Sequence, residues 1–407
     1  MRRVVITGYG VESSLGTSVP AAFDFLKGCR NAVIRSADLA TYKGLQTELC
    51  APARPFEKPA HYTRKVLRSM GPVAVMALYT AEQALAQAGL MDDPVLKGGR
   101  LGVAYGSSSG SVDAIADFYT MLQDHEVKNV TSSTYLKMMP QTTAVNLSVH
   151  FGTTGRLIPT GTACTSGSLA IGYAYEAIKF GMQDVMIAGG AEEFSPTQVA
   201  VFDTLFATSR MNDTPELTPR AFDRKRDGLV IGEGAGTLIL EERGHALARG
   251  AGILAEVVGF GTNTDGRHVT QPNCETMAGA LRMALDDAGL PPDAIGYVSA
   301  HGTATDRGDV AEAQATLSVY GNRVPVSTIK SYTGHTLGAC GALEAILSIE
   351  MMRREWYAPN LNLDEPDEEC GDLDFIRGRG RNFSSSYIAS NNFAFGGINT
   401  SLIFARV

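Results

Sequence analysis

The sequence predicts an α/β fold in which a sheet is covered by helices on both faces. Short apolar strands alternate with helical patterns along the 407 residues, and the strands are apolar throughout, which is typical of strands buried on both sides. A new series of strands starts near Ala255 and repeats the theme of the first half. Because no low-complexity linker separates the two series, we expect two halves, residues 1–250 and 251–407, that share one interface.

The first half is predicted to begin with a strand from Val4 to Thr7 that ends in a glycine turn at Gly8 and Gly10. A long helical pattern follows and is expected to end at Gly89. The later elements are a buried strand, a helix and a second buried strand, with the sequences "LGVAYG", "SLAIGYAYEAIKF" and "DVMIAGG".

The second half is predicted to run through strands and helices in a similar alternation. Its strands are "AEVVGFG", "IGYVSA", "VPVST" and "SYIASNN", and its helices are "ETMAGALRMALDDA" and "LGACGALEAILSIEMMRR". Each strand runs into a turn rich in glycine, threonine or polar residues. In α/β sheets, ligands bind beyond the carboxyl ends of the strands, so these turns are where we look for chemistry.

Composition excludes several classes of function. The chain carries a net charge of −8, which argues against non-specific binding to nucleic acid or to anionic membranes. No apolar stretch approaches the length of a membrane span. The six cysteines form no C-x-x-C pair, so neither a disulfide framework nor a zinc site is expected. We therefore expect a cytoplasmic protein with reduced thiols and no bound metal.

A single cysteine stands out at the start of a helical pattern. In "IPTGTACTSGSLAIG", Cys164 follows a strand-like run and precedes an amphipathic segment that ends at Gly181. Backbone N–H groups are unpaired at a helix N-terminus, and the helix dipole is positive there. This setting favours a thiolate and is expected to lower the thiol pKa. Cys164 is therefore either a small buried hydrophobe or a nucleophile that needs partners elsewhere.

Two histidines of the second half lie in comparable turns. His301 ends the strand of "SAHGTATDRGD", and His335 lies just before a helix in "KSYTGHTLGA". The two imidazoles and the Cys164 thiol are therefore predicted to converge. Lys330 is either a surface lysine or a charge that tunes this site. Asp309 and Glu312 lie at the start of a helical pattern, where acidic residues commonly favour the helix dipole; alternatively, Glu312 anchors Lys330 or orders the site.

The last glycine turn, "NNFAFGGINTS", is a tight turn between two late strands, or it supplies a backbone N–H group near Phe395. In the second interpretation, the N–H groups of Phe395 and Cys164 form an oxyanion hole.

Four stretches, "GTACTSGS", "SAHGTATDRGD", "KSYTGHTLGA" and "NNFAFGGIN", resemble the signature blocks of the elongating β-ketoacyl-acyl carrier protein synthases. The resemblance runs from the first strand to the C-terminus. It implies the thiolase fold, in which two βαβ halves related by a pseudo-two-fold axis form α/β/α/β/α layers. It also implies a dimer, either of identical chains or with a related synthase chain.

The resemblance implies a two-stage reaction without a cofactor. Cys164 takes an acyl chain from an acyl carrier protein, and His301 and His335 then stabilise the enolate formed when malonyl carrier protein loses carbon dioxide. Lys330 and Glu312 would form a supporting pair, and Phe395 would gate the site. The resemblance also implies that Thr303 and Thr305 contact the phosphopantetheine arm and that Ser109 lines the acyl pocket. Arg64, Lys65 and Arg68 would contact the carrier protein.

Two residues depart from the family pattern. Ala394 replaces the usual glycine before the gating phenylalanine. Because glycine helps that loop to move, we expect the gating to differ here. Ser109 stands where the family places a residue that lines the acyl pocket, and a small polar side chain there leaves room for unusual chains.

Other members of the superfamily remain as alternatives. One alternative is a chain-length partner without catalytic activity. Such partners lack the reactive cysteine, so the presence of Cys164 argues against this alternative. A thiolase carries a second cysteine in the final glycine loop, and a starter-type synthase has asparagine in place of His335; neither fits. A ketosynthase subunit of a specialised polyketide or polyene pathway stays open.

Overall fold

The computed structural model describes residues 1–407 and contains the mixed α/β architecture that the sequence predicts. Its strands are β1 (Val4–Ser13), β2 (Ile34–Arg35), β3 (Leu49–Ala51), β4 (Leu101–Gly106), β5 (Leu157–Thr160), β6 (Val185–Glu192), β7 (Ile231–Gly232), β8 (Gly234–Glu242), β9 (Ala255–Thr264), β10 (Ile295–Ser299), β11 (Pro325–Ser327), β12 (Trp356–Tyr357), β13 (Asp374–Phe375), β14 (Arg381–Asn382), β15 (Tyr387–Ala394) and β16 (Ile398–Ala405).

The α-helices alternate with these strands. They are α1 (Val19–Lys27), α2 (Pro72–Ala88), α3 (Val112–Asp124), α4 (Ser132–Met138), α5 (Thr142–Phe151), α6 (Ser166–Lys179), α7 (Pro196–Thr204), α8 (Arg243–Ala248), α9 (Cys274–Ala288), α10 (Asp306–Tyr320), α11 (Lys330–Thr333) and α12 (Cys340–Arg354). None of these helices is both long and apolar enough to cross a bilayer.

The main sheet has eleven strands in the order β13-β11-β10-β15-β16-β9-β1-β8-β6-β4-β5. Strands of the second half occupy one side and strands of the first half the other, and they meet where β1 pairs with β9. Apart from the edge strand β13, each half contributes five strands. Numbered along the chain, both sets read third, second, fourth, fifth, first from the outer edge to the centre. This matching order is the pseudo-two-fold relationship of a thiolase-like fold.

Five layers follow from the way the helices pack. Helix α2 covers β1 and β8 on one outside face, and α9 covers β9 and β16 on the other. Between the two half-sheets lie α6 and α12, whose side chains belong to the largest apolar cluster of the protein. Residues 340–352 of α12 are all buried, so this helix is surrounded by protein and presents its N-terminal end to the interior.

The predicted end of the first strand is wrong. Strand β1 continues through Gly8 and Gly10 to Ser13, and the two glycines serve a different purpose. A Cβ atom on Gly8 would lie 2.2 Å from the carbonyl oxygen of Ala84, and one on Gly10 would lie 2.2 Å from that of Thr80. The glycines therefore let α2 pack closely on the strand instead of forming a turn.

Candidate active site

Cys164 lies in a strained turn at the start of a central helix. The turn is a 3₁₀ helix, Ala163–Thr165, between β5 and α6, as the sequence predicts. Ala163 has a φ of 50°, a left-handed conformation that non-glycine residues rarely adopt. The thiol is 4% exposed, so a substrate reaches it only through a cavity.

His335 meets this thiol from the corresponding turn of the second half. Its Nε2 lies 3.0 Å from the sulfur of Cys164. The backbone N–H of Leu337 donates to its Nδ1 at 3.3 Å, so the proton of the neutral ring resides on Nε2. Leu337 opens a 3₁₀ turn before α12 and has a φ of 45°. The thiol and this imidazole thus occupy equivalent strained turns of the two halves.

His301 is the third member of the predicted group, and its ring lies beside that of His335. The two ring centroids are 5.2 Å apart, and the rings are perpendicular. Nδ1 of His301 faces the ammonium group of Lys330 at 3.0 Å and the amide nitrogen of Asn392 at 3.3 Å. Because both neighbours donate to Nδ1, the Nε2 of His301 carries the proton. The predicted convergence is confirmed, and it places two imidazole N–H donors at one site.

The predicted ion pair between Lys330 and Glu312 is wrong. The Lys330 ammonium instead forms a fully buried ion pair with Glu344, whose other oxygen accepts a hydrogen bond of 2.6 Å from Asn392. Glu312 accepts the backbone N–H groups of His301 and Gly302 at 2.6 and 2.7 Å. It therefore shapes the backbone that carries His301. Glu344 lies in the second turn of α12, and its carboxylate contacts the ammonium group of Lys330 there.

Burial and the Lys330 charge set the protonation states. Burial, followed by the ammonium group of Lys330, holds the pKa of His301 and of His335 well below the usual value. Both imidazoles are therefore neutral donors at neutral pH. The expected lowering of the Cys164 pKa is wrong: burial raises the pKa of this thiol to about 11, against opposing effects from Lys330 and two backbone N–H groups. Its resting form is the thiol.

The three reactive groups open into one cavity of about 500 Å³. Thr303 and Thr305 line it, and their hydroxyl groups are 2.9 Å apart. Phe395 also lines it, with its ring 5.1 Å from that of Phe202 on α7. Ser109, which was predicted to line an acyl pocket, does not reach this cavity. Its hydroxyl donates to Glu192 and accepts from Gln198, at 2.9 Å in each case.

The backbone N–H groups of Cys164 and Phe395 both face the sulfur, since each favours its thiolate form. Phe395 and Ala394 lie where β15 ends and the chain turns through Gly396 and Gly397, whose φ values are 90° and 70°. The final glycine turn therefore brings a backbone N–H group to the sulfur, in addition to that of Cys164 itself.

The basic segment predicted to dock a carrier is not an α-helix. Arg64 and Lys65 lie in a turn, and Arg68 lies in a 3₁₀ helix, Val66–Ser69. All three side chains are exposed. The segment therefore presents no α-helical face, but the three cations remain adjacent on the surface.

Two groups of side chains have the spacing of metal ligands, but their hydrogen bonds oppose a cation. Cys164, His301 and His335 form one group, and His301, Cys340 and Glu344 form the other. In the first group, the protons of both histidines are on Nε2, so their lone pairs point to Leu337 and Lys330. The ammonium group of Lys330 contacts the second group and would repel an ion.

Several residues around the site were not singled out in the sequence. Asn392 lies inside the quoted "NNFAFGG" motif, so the motif indicated that it is near the site. The motif did not indicate its hydrogen bonds to His301 and Glu344. Glu192 and Phe202 had no signal, because their contacts join segments that are distant along the chain. The pairing of Glu344 with Lys330 depends on how α12 packs, which the sequence does not show.

Known protein families and relatives match this chain over nearly its whole length. The family model of the β-ketoacyl synthase N-terminal domain matches residues 1–246, and that of the C-terminal domain matches residues 254–364. The 3-oxoacyl-[acyl-carrier-protein] synthase 2 of Vibrio cholerae is 38% identical over 414 residues, which cover 100% of this chain and 99% of that protein.

Two solved structures share the fold over the full length. A β-ketoacyl synthase from Burkholderia phymatum STM815 has a TM-score of 0.98 and 59% identity, covering 100% of both chains. The ishigamide ketosynthase/chain length factor has a TM-score of 0.91 and 31% identity, covering 100% of this chain and 99% of that one.

Proposed function

The chain belongs to the β-ketoacyl synthase family, and from this premise we propose that it catalyses the decarboxylating condensation that elongates fatty acyl chains. The substrates are an acyl chain on Cys164 and malonyl-acyl carrier protein, and the product is 3-ketoacyl-acyl carrier protein. The observation that carries the proposal is the convergence of a thiol and two neutral imidazole N–H donors in one cavity.

In the first stage, the sulfur of Cys164 attacks the thioester carbonyl of an acyl carrier. The C–S bond to the carrier arm breaks, and the thiol proton of Cys164 ends on the departing sulfur, so the exchange is balanced without a permanent base. The N–H groups of Cys164 and Phe395 stabilise the negative oxygen of the tetrahedral intermediate. Because burial keeps Cys164 a thiol at rest, its proton must leave as the sulfur attacks; Lys330 and the N–H groups of Cys164 and Phe395 favour the thiolate that forms.

In the second stage, a malonyl carrier binds, and Nε2–H of both His301 and His335 donates to its thioester oxygen. The carbon–carbon bond to the carboxylate breaks and carbon dioxide leaves. The electron pair of that bond stays on the malonyl carbon and forms an enolate with the thioester carbonyl. Neutral donors stabilise this oxygen without delivering a proton to the carbon. Burial, assisted by the Lys330 charge, keeps both imidazoles neutral, and the ammonium group of Lys330 holds the Nδ1 of His301 as an acceptor.

In the last stage, the enolate carbon attacks the acyl carbonyl on Cys164. The C–S bond to Cys164 breaks and the sulfur regains a proton from water. The chain leaves two carbons longer. Thr303 and Thr305, at the polar side of the cavity, are proposed to hold the phosphopantetheine arm.

The carrier is proposed to approach through Arg64, Lys65 and Arg68, and the enzyme to work as a dimer in the cytoplasm. Strand β5 ends the sheet with a free edge, which supports pairing of two such edges. We propose that residues 1–250 and 251–407 form the two halves of the protein, which the strand order supports.

A direct assay tests the function. Purified enzyme is incubated with octanoyl carrier protein and malonyl carrier protein, and mass spectrometry follows the carrier-bound products. A ten-carbon 3-ketoacyl carrier, formed together with carbon dioxide, is expected. No product from acyl carriers of any length would contradict the proposal.

A second candidate is a ketosynthase subunit of a specialised polyketide or polyene pathway, paired with a chain-length partner. It is supported by the 31% identity to the ishigamide ketosynthase/chain length factor over the whole chain. Elongation of unsaturated carriers in preference to saturated ones would favour it.

A further inference from the structure

A buried carboxylate connects the two halves of the protein directly behind the reactive groups. Glu192 ends β6, and its side chain is inaccessible to solvent. One of its oxygens, Oε2, accepts the backbone N–H of Ser108 at 2.8 Å and that of Gly338 at 2.9 Å. Gly338 belongs to the turn that follows His335, so this contact reaches from the first half into the histidine turn.

The other oxygen, Oε1, holds the serine loop of the first half. It accepts the backbone N–H and the hydroxyl of Ser109 at 3.2 and 2.9 Å, and the hydroxyl of Ser107 at 3.2 Å. Five donors therefore converge on one carboxylate, and each oxygen receives at least one backbone N–H. Only a carboxylate offers acceptors on both sides.

The fit around Gly338 is tight. A Cβ atom on this residue would lie 2.6 Å from Oε2 of Glu192. Its neighbour Leu337 supplies the N–H that donates to Nδ1 of His335 and so fixes the proton on Nε2. Any shift of this turn therefore changes the one hydrogen bond that makes His335 a donor toward the cavity.

We propose that Glu192 is a positioning residue for the condensation: it holds the turn of residues 337–339 so that Leu337 keeps the Nε2–H form of His335 directed at the substrate. Its negative charge also acts on Cys164, whose pKa it raises. This inference rests on the proposed function.

The adjacent residue provides a matched control. Glu193 is also buried, and its two oxygens accept the backbone N–H groups of Val73 and Val112 together with the hydroxyl of Ser111. These partners belong to the starts of α2 and α3 and do not line the cavity. Glu193→Gln therefore makes the same replacement of a buried carboxylate by an amide as Glu192→Gln, but it does not contact the histidine turn.

Both glutamine variants place an NH₂ group against at least one backbone N–H, because an amide has a single acceptor oxygen. An unsatisfied buried donor is costly, so both should lose thermal stability. Only Glu192→Gln should lower the kcat of malonyl carrier decarboxylation, by about tenfold or more with KM nearly unchanged. Only Glu192→Gln should also shift the alkylation of Cys164 by iodoacetamide to lower pH, because a nearby negative charge is removed.

Glu192→Asp separates position from charge and serves if the glutamine variant does not fold. It should lower the decarboxylation kcat while leaving the pH midpoint of alkylation near that of the wild type. Equal decarboxylation losses in the Glu192 and Glu193 variants, in proportion to their stability, would overturn the proposal, as would wild-type kcat in Glu192→Asp. A wild-type enzyme without decarboxylation would refute the proposed function instead, and the alkylation midpoints would still report on the charge.

Discussion

The ammonium nitrogen of Lys330 lies 3.0 Å from Nδ1 of His301. A cation at this distance opposes protonation of the ring, and it also fixes which nitrogen is the donor. The double variant Lys330→Met with Glu344→Gln removes both charges of the buried pair, so no unpaired charge is left. The pKa of His301 should then rise, although burial, the larger cause of its lowering, continues to hold it below the usual value. Decarboxylation by the double variant should therefore show an acid limb at a higher pH than any in the wild type. A pH–rate profile without this acid limb would contradict the role of Lys330, and the exposed Lys43→Met serves as the control.

The nucleophile is tested by two substitutions. Cys164→Ala should abolish acylation and condensation, because no other thiol opens into the cavity. Cys164→Gln should lose condensation but retain malonyl decarboxylation, since His301 and His335 remain. Mass spectrometry of peptides after incubation with acyl carrier checks the site. An acyl group found on Cys29, Cys50, Cys274, Cys340 or Cys370 would remove Cys164 from its role.

The two imidazoles are expected to act together. His301→Ala and His335→Ala should each lower decarboxylation by about a hundredfold or more, since each removes a donor to the developing enolate. At least one of the variants should still acylate Cys164, because the oxyanion N–H groups are unchanged. Release of labelled carbon dioxide measures the first effect and adduct formation the second. Undiminished carbon dioxide release in both variants would show that the enolate is stabilised elsewhere.

Carrier docking is tested by reversing charge on the exposed basic segment. Lys65→Glu with Arg68→Glu should raise KM for carrier-bound substrates several-fold at low salt, and the effect should weaken as salt is added. KM for a small thioester mimic should barely change. Lys27→Glu with Arg30→Glu reverses two other exposed charges and serves as the control. Equal losses with carrier and mimic would indicate a folding defect.

Oligomeric state is tested at the free edge of β5. Light scattering should give a dimer for the wild type, and Leu157→Lys, a change on this exposed edge, should shift the population toward monomer. A fully active wild-type monomer would contradict the dimer.

The sequence was sufficient where function follows from local pattern. Glycine-bounded strands and the turns after them located Cys164, His301 and His335, because the ends of strands in an α/β sheet come together. It failed where contacts depend on how the helices pack. Glu344 is nearer to Lys330 along the chain than Glu312 is, but its pairing with Lys330 depends on how α12 is inserted between the half-sheets, which no local pattern records.

Burial accounts for the error in the thiol pKa. The amphipathic segment after Cys164 predicted the helix N-terminus correctly, but the pKa prediction gave no weight to desolvation. Desolvation depends on the whole surrounding structure, and here it exceeds the effects of the nearby N–H groups and of Lys330.

The equal strand orders of the two halves, and the strained turn that each carries before its buried helix, mean that a nearly symmetric scaffold carries an asymmetric reaction. One half supplies the nucleophile at its turn, and the other supplies an imidazole beside its own. Neither half contains both groups, so the site exists only where the two halves meet.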